Sequence, residues 1–457
     1  MNAPAHAPTL RKLLHLAWPI IISRSAQTVV GFTDAAMVAR LGEDALAATT
    51  AGALNVFAVF ILPMGIGSIV SSFASQLHGR GDHAGARRYG FYGLAIAAFT
   101  QLLCFALMLV TPSAINALDY TPSVRALMEQ YVLMRIWSGG AAIGLEALGN
   151  YYGGLGNTRL PMAAQVLAMV LNIALNWVLI YGNLGAPALG VTGASLASSL
   201  STIIAFIALL GCFLAGYGAE KAPRSPLSGS ELWRMLRFGL PSGLNWFVEF
   251  AAFNFFINVV VAGLGTTTVA ALMAAMQVNS IAFMPAFGLA SAGAILVGHA
   301  LGAREHDKVP PTVWLTLRVT GGWMGLIGLI YLLCARFVML PFTPPGPERE
   351  AFLDVSAKVL GMSIAWQFVD AAAMTFAESL RAAGDTAFTM WARVVIAWAV
   401  FVPGSYYSVR MHDGGMNMAI FWLVAYMGLL AFVLWLRFRS GVWRTLDLAG
   451  SSEMPPI

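Results

Sequence analysis

The chain has 457 residues, of which 58% are hydrophobic and only 10% are charged. A soluble domain is about 45–50% apolar and about 25% charged, so this composition excludes a water-soluble protein and indicates a polytopic membrane protein. The net charge of +5, without a long basic run, argues against a nucleic-acid partner. The apolar stretches are continuous rather than alternating, which favours transmembrane helices over a β-barrel.

Six apolar segments occupy the first half of the chain. Each is long enough for a transmembrane helix, because the hydrocarbon core of a bilayer is about 30 Å thick and takes about 20 helical residues. The N-terminal segment lacks a small-residue cleavage site after its apolar run, so we expect a short cytoplasmic tail rather than a removed signal peptide. The expected spans are residues 14–38, 45–77, 89–111, 124–152, 160–182 and 190–217.

Ionisable and amide side chains inside these spans are candidate functional groups, since a charge in a span costs at least about 2.5–3.5 kcal/mol on insertion scales. Asp34 lies in span one and has no basic residue three or four positions away. Asn172 and Asn176 share one helical face of span five, where their oxygens beside a carboxylate would suit a hard cation; interhelical hydrogen bonding is the alternative. Arg24 lies about 15 Å from Asp34 along a straight helix, so it either extends to the cytoplasm or balances an acid of another span.

A polar linker separates these spans from a second group of six. The expected spans of that group are residues 234–262, 268–301, 312–341, 350–381, 387–410 and 416–437. The pattern predicts four regions, which are an N-lobe (1–217), a cytoplasmic linker (218–233), a C-lobe (234–441) and a cytoplasmic tail (442–457). Most of the 26 lysine and arginine residues fall on the side that holds both termini, which predicts twelve spans with both termini in the cytoplasm.

The two halves resemble each other in sequence. An offset of 223 residues aligns 39–50 with 262–273, and the same offset aligns 76–82 with 299–305. Because six spans is an even number, both halves enter the membrane in the same sense, and a pseudo-twofold axis should run along the membrane normal. The expected architecture is an all-α polytopic membrane protein with twelve transmembrane helices in two six-helix lobes. Such repeats are typical of transporters, whose substrate sites lie at the repeat interface.

Two acids of the second half are further candidates, Glu249 in span seven and Asp370 in span ten. Like Asp34, neither has a basic residue within one helical turn. A buried carboxylate without a charge partner can trade a proton, or can hold a small cation when other oxygens join it. The alternative for all three acids is a structural role as a helix cap or a hydrogen-bond partner. Glu378 differs, because Arg381 lies three residues further on and predicts a structural ion pair.

No catalytic motif stands out, since the sequence has no GxSxG, no HExxH and no GxxxxGK[ST] phosphate loop. We therefore expect a transporter rather than an enzyme, driven by an ion gradient and needing no cofactor. The three cysteines, Cys104, Cys212 and Cys334, are widely spaced in apolar stretches, which predicts packing rather than disulfide bonds or metal binding.

Six stretches of sequence together resemble the multidrug and toxic compound extrusion (MATE) transporters, in their NorM-type bacterial branch. They are AQTVVGFTDAAMVARLG in span one, QLHGRGD and GHALGARE after spans two and eight, LNIALNW in span five, GLPSGLNWFVEF in span seven, and VDAAAMTFAESLRAAGDT in span ten. The resemblance runs from Arg11 to about Arg439. It implies a twelve-helix, two-lobed exporter that works by alternating access and moves cationic and aromatic drugs out in exchange for Na⁺ or H⁺.

The resemblance also assigns roles to residues. Asp34 matches the first-helix carboxylate of the family, and Asn172 and Asn176 match the positions that complete a cation site, making Na⁺ a candidate ligand there. Glu249 and Asp370 match the acidic pair of the C-lobe. All five are therefore expected to bind the cation or to couple protons.

Substrate binding is implied for the three acids together with Trp366. The family often has a tyrosine at the position of Trp366, four residues before the span-ten aspartate. Many members also carry a His-Gln pair in span eight, where this chain has Leu272-Met273. The chain thus departs from the family pattern near the C-lobe site.

Two other functions are alternatives. A flippase for lipid-linked saccharides of the same superfamily would need a basic cavity for a pyrophosphate headgroup, whereas the acids here lack basic companions apart from Arg24 and Arg135. A membrane enzyme or channel would need a catalytic or filter motif, and the sequence shows neither. The expected partners are small cationic drugs and membrane lipid, with no nucleic acid, and the chain is expected to act as a monomer.

Overall fold

The computed structural model describes residues 9–220, 225–343, 349–412 and 414–450. Within these ranges every regular element is helical and no strand occurs. The expected linker and the expected cytoplasmic tail therefore lie partly outside the described residues. All three cysteines are free thiols; Cys104 is buried, as a packing role predicts, whereas Cys212 is half-buried and Cys334 is exposed.

Seven α-helices lie in the described part of the first half. They are α1 (Leu10–Val38), α2 (Glu43–Gly79), α3 (His83–Asn116), α4 (Pro122–Ile136), α5 (Gly139–Gly154), α6 (Arg159–Tyr181) and α7 (Gly190–Ala215). Span four is broken between α4 and α5 rather than continuous. The Ser138 hydroxyl donates to the Arg135 carbonyl (3.0 Å), and a Cβ on Gly139 would lie 2.4 Å from the Cys104 sulfur. The serine and the close packing of the glycine together account for the break.

Eight α-helices lie in the described part of the second half. They are α8 (Gly229–Phe255), α9 (Thr266–Gly302), α10 (Val309–Met339), α11 (Arg349–Met362), α12 (Ile364–Ala383), α13 (Thr386–Val395), α14 (Val402–Ser405) and α15 (Gly415–Arg439). Helices α11 and α12 fill the expected tenth span and meet at an angle of 43°. Short π-helical segments join α13, α14 and the residues up to Met411 into one continuous rod.

Every expected span is helical within the described ranges, although fewer helices qualify as spans by length and hydropathy alone. Nine qualify, or ten when the bent pair α11–α12 is taken as one span. The polar side chains of α1 lower its hydropathy, and α4 and α5 have only 15 and 16 residues. A broken span and a polar first span therefore account for the difference from twelve.

The chain divides into two compact units, Ile22–Gly243 and Met1–Ile21 with Leu244–Ile457. These bounds differ from those of the lobes expected from hydropathy, which stay a prediction. The start of α1 belongs to the second unit because its apolar face packs there. The buried cluster at this place contains Leu13, Leu16, Ala17, Leu289, Ala292, Ile295 and Leu296.

The predicted repeat is visible in local structure. Helices α2 and α9 each have 37 residues, and each follows a glycine with positive φ, Gly42 (117°) and Gly265 (100°). Other residue types rarely adopt such a backbone, so glycine at both positions has a physical reason. The offset between the two glycines is the one that aligns the sequences.

Helix α2 and the first turns of α8 approach closely within the unit Ile22–Gly243. A Cβ on Gly243 would lie 2.5 Å from the Leu62 carbonyl oxygen, and a Cβ on Gly65 would lie 2.5 Å from the Gly243 Cα. Ser68 and Ser242 add a hydroxyl–hydroxyl hydrogen bond of 3.3 Å at the same crossing. Small residues with interhelical hydrogen bonds are a typical membrane packing device.

We expect Gly243→Ala to lower the stability of the protein by about 1–3 kcal/mol, because the added methyl group must push backbone apart. The measurement is the thermal unfolding midpoint of the purified protein in detergent. Gly211→Ala on α7 is the matched control, since nothing lies within 4 Å of its added methyl group. Gly211→Ala should leave the unfolding midpoint unchanged or raise it slightly. Equal midpoints for Gly243→Ala and the wild type would contradict the close approach of α2 and α8.

Candidate functional site

The first predicted cluster forms around Asp34 in the unit Ile22–Gly243. Asp34, on α1, is 8% exposed, and its Oδ1 and Oδ2 accept hydrogen bonds from the Asn176 amide and from the Ser198 hydroxyl (2.8 Å). The Asn176 amide also donates to Asn172 Oδ1 (3.2 Å), and the Asn172 amide donates to the Ser198 hydroxyl (3.0 Å). Three helices, α1, α6 and α7, thus supply one closed polar network.

Helix geometry explains why these groups meet. Asn172 and Asn176 lie one turn apart on α6, so both amides face α1, and neither side chain has any exposed surface. The Tyr181 hydroxyl donates to the Met37 carbonyl (2.7 Å) and holds the ends of α1 and α6 together. The structure therefore brings together all three residues that the sequence predicts for this cluster.

Ser198 was not among the predicted residues. Its signal was present, since residues 195–201 carry four serines in an otherwise apolar span. Sequence alone does not say which serine faces α1. In the structure Ser198 reaches Asp34, whereas the Ser195, Ser199 and Ser201 hydroxyls bond to backbone carbonyls.

The Asp34 cluster is rich in oxygen and contains no basic side chain. Asp34 takes part in no ion pair among the described residues. The Asn176 Oδ1 atom is buried and accepts no hydrogen bond from any residue that the structure describes. Rotating the Asn176 amide would exchange its donor for this oxygen. The cluster can therefore stabilise an ionised carboxylate through N–H and O–H donors, or present several oxygens to a small cation.

The second predicted cluster lies in the other unit, where Glu249 forms an ion pair with Arg393 of α13. The expectation that Glu249 has no charge partner is therefore wrong. The i,i+4 rule tests one helix only, and Arg393 comes from another helix. The charges of Glu249 and Arg393 both act on Asp370 of α12, so both acids of the predicted pair lie within electrostatic range of one guanidinium.

Arg393 is the functional candidate that sequence reasoning missed in this half. Its side chain is only 10% exposed, whereas that of Glu249 is 43% exposed. The signal was its position, because Arg393 lies well inside the expected span 387–410 rather than at its end. An arginine within a span is as costly to bury as an acid, so it indicates a partner of opposite charge in the same way.

Trp366 lies on α12, one turn before Asp370, and is 4% exposed within a buried apolar cluster. Its ring is therefore covered in this structure, and substrate binding by Trp366 stays a prediction. The neighbouring Gln367 amide donates to Asn279 Oδ1 (2.9 Å) on α9 and to the Ser363 hydroxyl (3.2 Å). The sequence analysis did not predict these hydrogen bonds of Gln367 in the buried core.

Two further ion pairs involve charged residues of the expected spans. The Arg24 guanidinium donates two hydrogen bonds (2.8 and 3.3 Å) to the Glu146 carboxylate of α5, and the Asn150 amide donates to the same carboxylate (3.0 Å). Of the two alternatives for Arg24, balancing an acid of another span is the one observed. The Glu378–Arg381 pair is present, as the sequence predicts.

Breaking the Arg24–Glu146 pair should cost stability. Glu146 is 6% exposed and Arg24 20%, so Glu146→Gln is expected to destabilise the protein by about 1–3 kcal/mol, below the range for fully buried pairs. The thermal midpoint in detergent is the readout, with Glu129→Gln on α4 as the control. A Glu146→Gln midpoint equal to that of the control would contradict a structural role for the pair.

The MatE family model matches residues 19–178 and 241–407 of the chain. A "Probable multidrug resistance protein NorM" of Neisseria meningitidis serogroup B is 29% identical over 423 residues, which cover 90% of each chain. The "Multidrug resistance protein NorM" of Aliivibrio fischeri is 25% identical over 442 residues, covering 94% of this chain and 91% of the relative. The match thus extends over nearly the whole length of both chains.

Solved structures agree in fold. A MOP superfamily transporter from Pyrococcus furiosus superposes with a TM-score of 0.86 at 20% identity, covering 95% of this chain and 96% of the other. The outward-facing conformation of a multidrug resistance MATE family transporter gives 0.85 at 21% identity, with the same coverage. Family model, relatives and fold agree, and the chain belongs to the MATE family of membrane transporters.

Proposed function

We propose that this transporter is a cation-coupled multidrug antiporter, which exports organic cations and aromatic drugs in exchange for Na⁺ or H⁺ by alternating access. The observation that carries the proposal is the Asp34 network, a buried carboxylate bound only by neutral donors. The two NorM relatives described above carry names that refer to multidrug resistance, which supports the substrate class. Such a carboxylate is costly to bury as an anion, so a proton or a metal cation that neutralises it gains free energy.

The coupling step at Asp34 follows from its hydrogen bonds. A proton on the carboxylate, or Na⁺ beside it, competes with the donors of Asn176 and Ser198, because a neutralised or cation-bound oxygen accepts them less strongly. The three helices that carry these groups then prefer a different packing. The ion can shift the equilibrium between conformations only by the difference in its affinity for them.

The second cluster supplies the attraction for a cationic substrate. Glu249 and Asp370 carry two acidic groups against one guanidinium, so the cluster holds an excess acid that a positively charged drug can neutralise. Because Glu249 is 43% exposed, its carboxylate is the accessible member. A bound cation would replace part of the interaction with Arg393 rather than enter an empty apolar site.

The flippase alternative predicts a positively charged substrate site instead of an acidic one. A pyrophosphate headgroup needs unpaired basic side chains. Arg393 is already paired with Glu249, and Arg24 with Glu146, while the Arg135 guanidinium donates to the Ser138 hydroxyl (2.7 Å). The charge balance of both clusters therefore favours a cation over an anionic lipid headgroup. We further propose that the protein acts as a monomer in the bacterial inner membrane, with both termini in the cytoplasm.

The experiment is drug efflux from pump-deficient cells that express the protein, with ethidium or norfloxacin as substrate and with a Na⁺ or a pH gradient imposed separately. Efflux that follows either gradient supports the proposal and names the ion. No efflux under both gradients, from protein shown to reside in the membrane, would contradict it. Lipid-linked saccharide translocation by the same protein would then support the flippase.

A further inference from the structure

Two histidines and a glutamate converge in the unit Ile22–Gly243, and none of them belongs to either acidic cluster. His78 lies in the last turn of α2, His83 is the first residue of α3, and Glu220 follows α7. One ligand atom from each residue lies within 4.8 Å of the others. The His83 Nε2 and Glu220 Oε2 atoms are 2.8 Å apart, and the two imidazole centroids are 5.3 Å apart.

We propose that His78, His83 and Glu220 bind one divalent transition-metal ion of the Zn²⁺ class. Imidazole nitrogens with one carboxylate suit Zn²⁺, Ni²⁺ or Cu²⁺ better than Mg²⁺ or Ca²⁺, which prefer oxygen ligands only. The ligand atoms of a tetrahedral Zn²⁺ site lie about 2.0–2.1 Å from the ion and therefore about 3.3 Å from one another. Small side-chain rotations would bring the three ligand atoms, now within 4.8 Å of one another, to that separation. Two histidines and a glutamate leave a fourth position for water.

The surroundings leave room for the ion and its water. A cavity of about 250 Å³ opens beside the three side chains, and its wall is completed by Tyr151, Leu155 and the backbone of residues 218–219. Glu220 is 64% exposed and His83 26%, so an ion can enter from solvent. The cavity therefore provides both an entry path and space for the remaining coordination positions.

The backbone that carries the ligands is held in place. Between the histidines, the Gly81 and Asp82 N–H groups donate to the carbonyls of residues 78 and 77 (2.9 Å each), and the Asp82 carboxylate caps α3 through the Gly85 N–H (2.7 Å). Before Glu220, the Tyr152 hydroxyl and the Asn157 amide donate to the carbonyls of residues 217 and 218 (2.8 Å each). The three ligands thus start from ordered backbone.

The second half of the chain shows that the turn does not need a histidine at position 78. Its counterpart after α9 repeats the same backbone hydrogen bonds, from Ala303 to His299, from Arg304 to Leu301 and from Glu305 to Ala300 (2.8–3.0 Å). Leu301 stands there in the place of His78. The backbone turn therefore forms with leucine at this position, so its hydrogen bonds do not require a histidine at position 78.

The test is metal binding by the full-length protein, purified without a histidine tag and stripped with a chelator. Zn²⁺ is titrated against a chromophoric competitor, and the unfolding midpoint is recorded with and without Zn²⁺. We expect one Zn²⁺ per chain and a raised midpoint, since a ligand that binds only the folded state stabilises it. His78→Leu and Glu220→Gln should each weaken binding at least about tenfold, because even second-shell losses cost about 10–100-fold.

His306→Ala is the matched control, since His306 occupies the position of His83 in the second half, where Leu301 replaces the other histidine. It should bind Zn²⁺ like the wild type. His78→Leu should fold, because the second half carries leucine there, and Glu220→Gln changes an exposed side chain. Wild-type affinity in both ligand variants, or no binding at about 100 μM Zn²⁺, where sites of zinc-finger strength are saturated, would overturn the proposal.

Discussion

Replacing Asp34 with asparagine is expected to uncouple drug export from the ion gradient. Asparagine keeps the size of the side chain and one acceptor oxygen but cannot take up a proton or carry the charge that holds Na⁺. Coupling free energies between linked sites are about 1–3 kcal/mol, or about 5–150-fold, so the gradient-driven efflux rate should fall at least about fivefold. The measurement is initial efflux of ethidium under the coupling-ion gradient.

Two variants sharpen the Asp34 test. Ser198→Ala removes one of the two donors to the carboxylate and should lower the rate less than Asp34→Asn does. Asp119→Asn, an exposed change between α3 and α4, should leave the rate unchanged. Gradient-driven efflux by Asp34→Asn at the wild-type rate, from equal amounts of protein in the membrane, would remove Asp34 from the mechanism.

The Glu249–Arg393 pair should show strong energetic coupling. Glu249→Gln leaves a buried guanidinium without its carboxylate, and Arg393→Gln removes the cation whose charge acts on both Glu249 and Asp370. Each single change should destabilise the protein, and the double change should recover part of the loss. We expect a coupling energy of about 1–3 kcal/mol, below the full cost of breaking a buried pair because Glu249 is 43% exposed.

The surface pair of Arg336 and Glu350 is the matched control for this cycle. Their side chains are 59% and 73% exposed, so the same pair of substitutions should give about 0–1 kcal/mol. The coupling energy of each pair is obtained from the thermal unfolding midpoints, in detergent, of the wild type, the two single variants and the double variant. Equal coupling energies for the Glu249–Arg393 and Arg336–Glu350 pairs would contradict a special role for Arg393. Glu249→Gln and Asp370→Asn should also reduce drug resistance at unchanged expression, since both remove negative charge that attracts a cationic drug.

Much of the fold was predictable because the bilayer imposes a simple rule on sequence. Continuous apolar segments of sufficient length became helices at every expected position within the described ranges. The breaks within spans four and ten were not predicted, since hydropathy averages over many residues. In span four it does not register the Ser138 hydroxyl, which bonds to the backbone of its own span. The assignment of the first turns of α1 to the second unit depends on long-range packing, which no local pattern reports.

The candidate sites were predictable to the extent that their residues share a helix face. Asn172 and Asn176 are four residues apart, so their meeting followed from helix geometry, and the burial cost of a charge pointed to Asp34. Ser198 and Arg393 come from other helices, and their partners depend on how helices pack. The MATE resemblance supplied the acids but not these two partners.

The measurement that tests the coupling mechanism most directly is ion movement driven by drug in proteoliposomes. A gradient of ethidium is imposed across the vesicle membrane, and counterflow of H⁺ and of Na⁺ is recorded separately for the wild type and Asp34→Asn. We predict that one ion moves against the drug in the wild type and that this movement is lost in the variant. Drug transport without any ion movement, or equal ion movement in the variant, would contradict it.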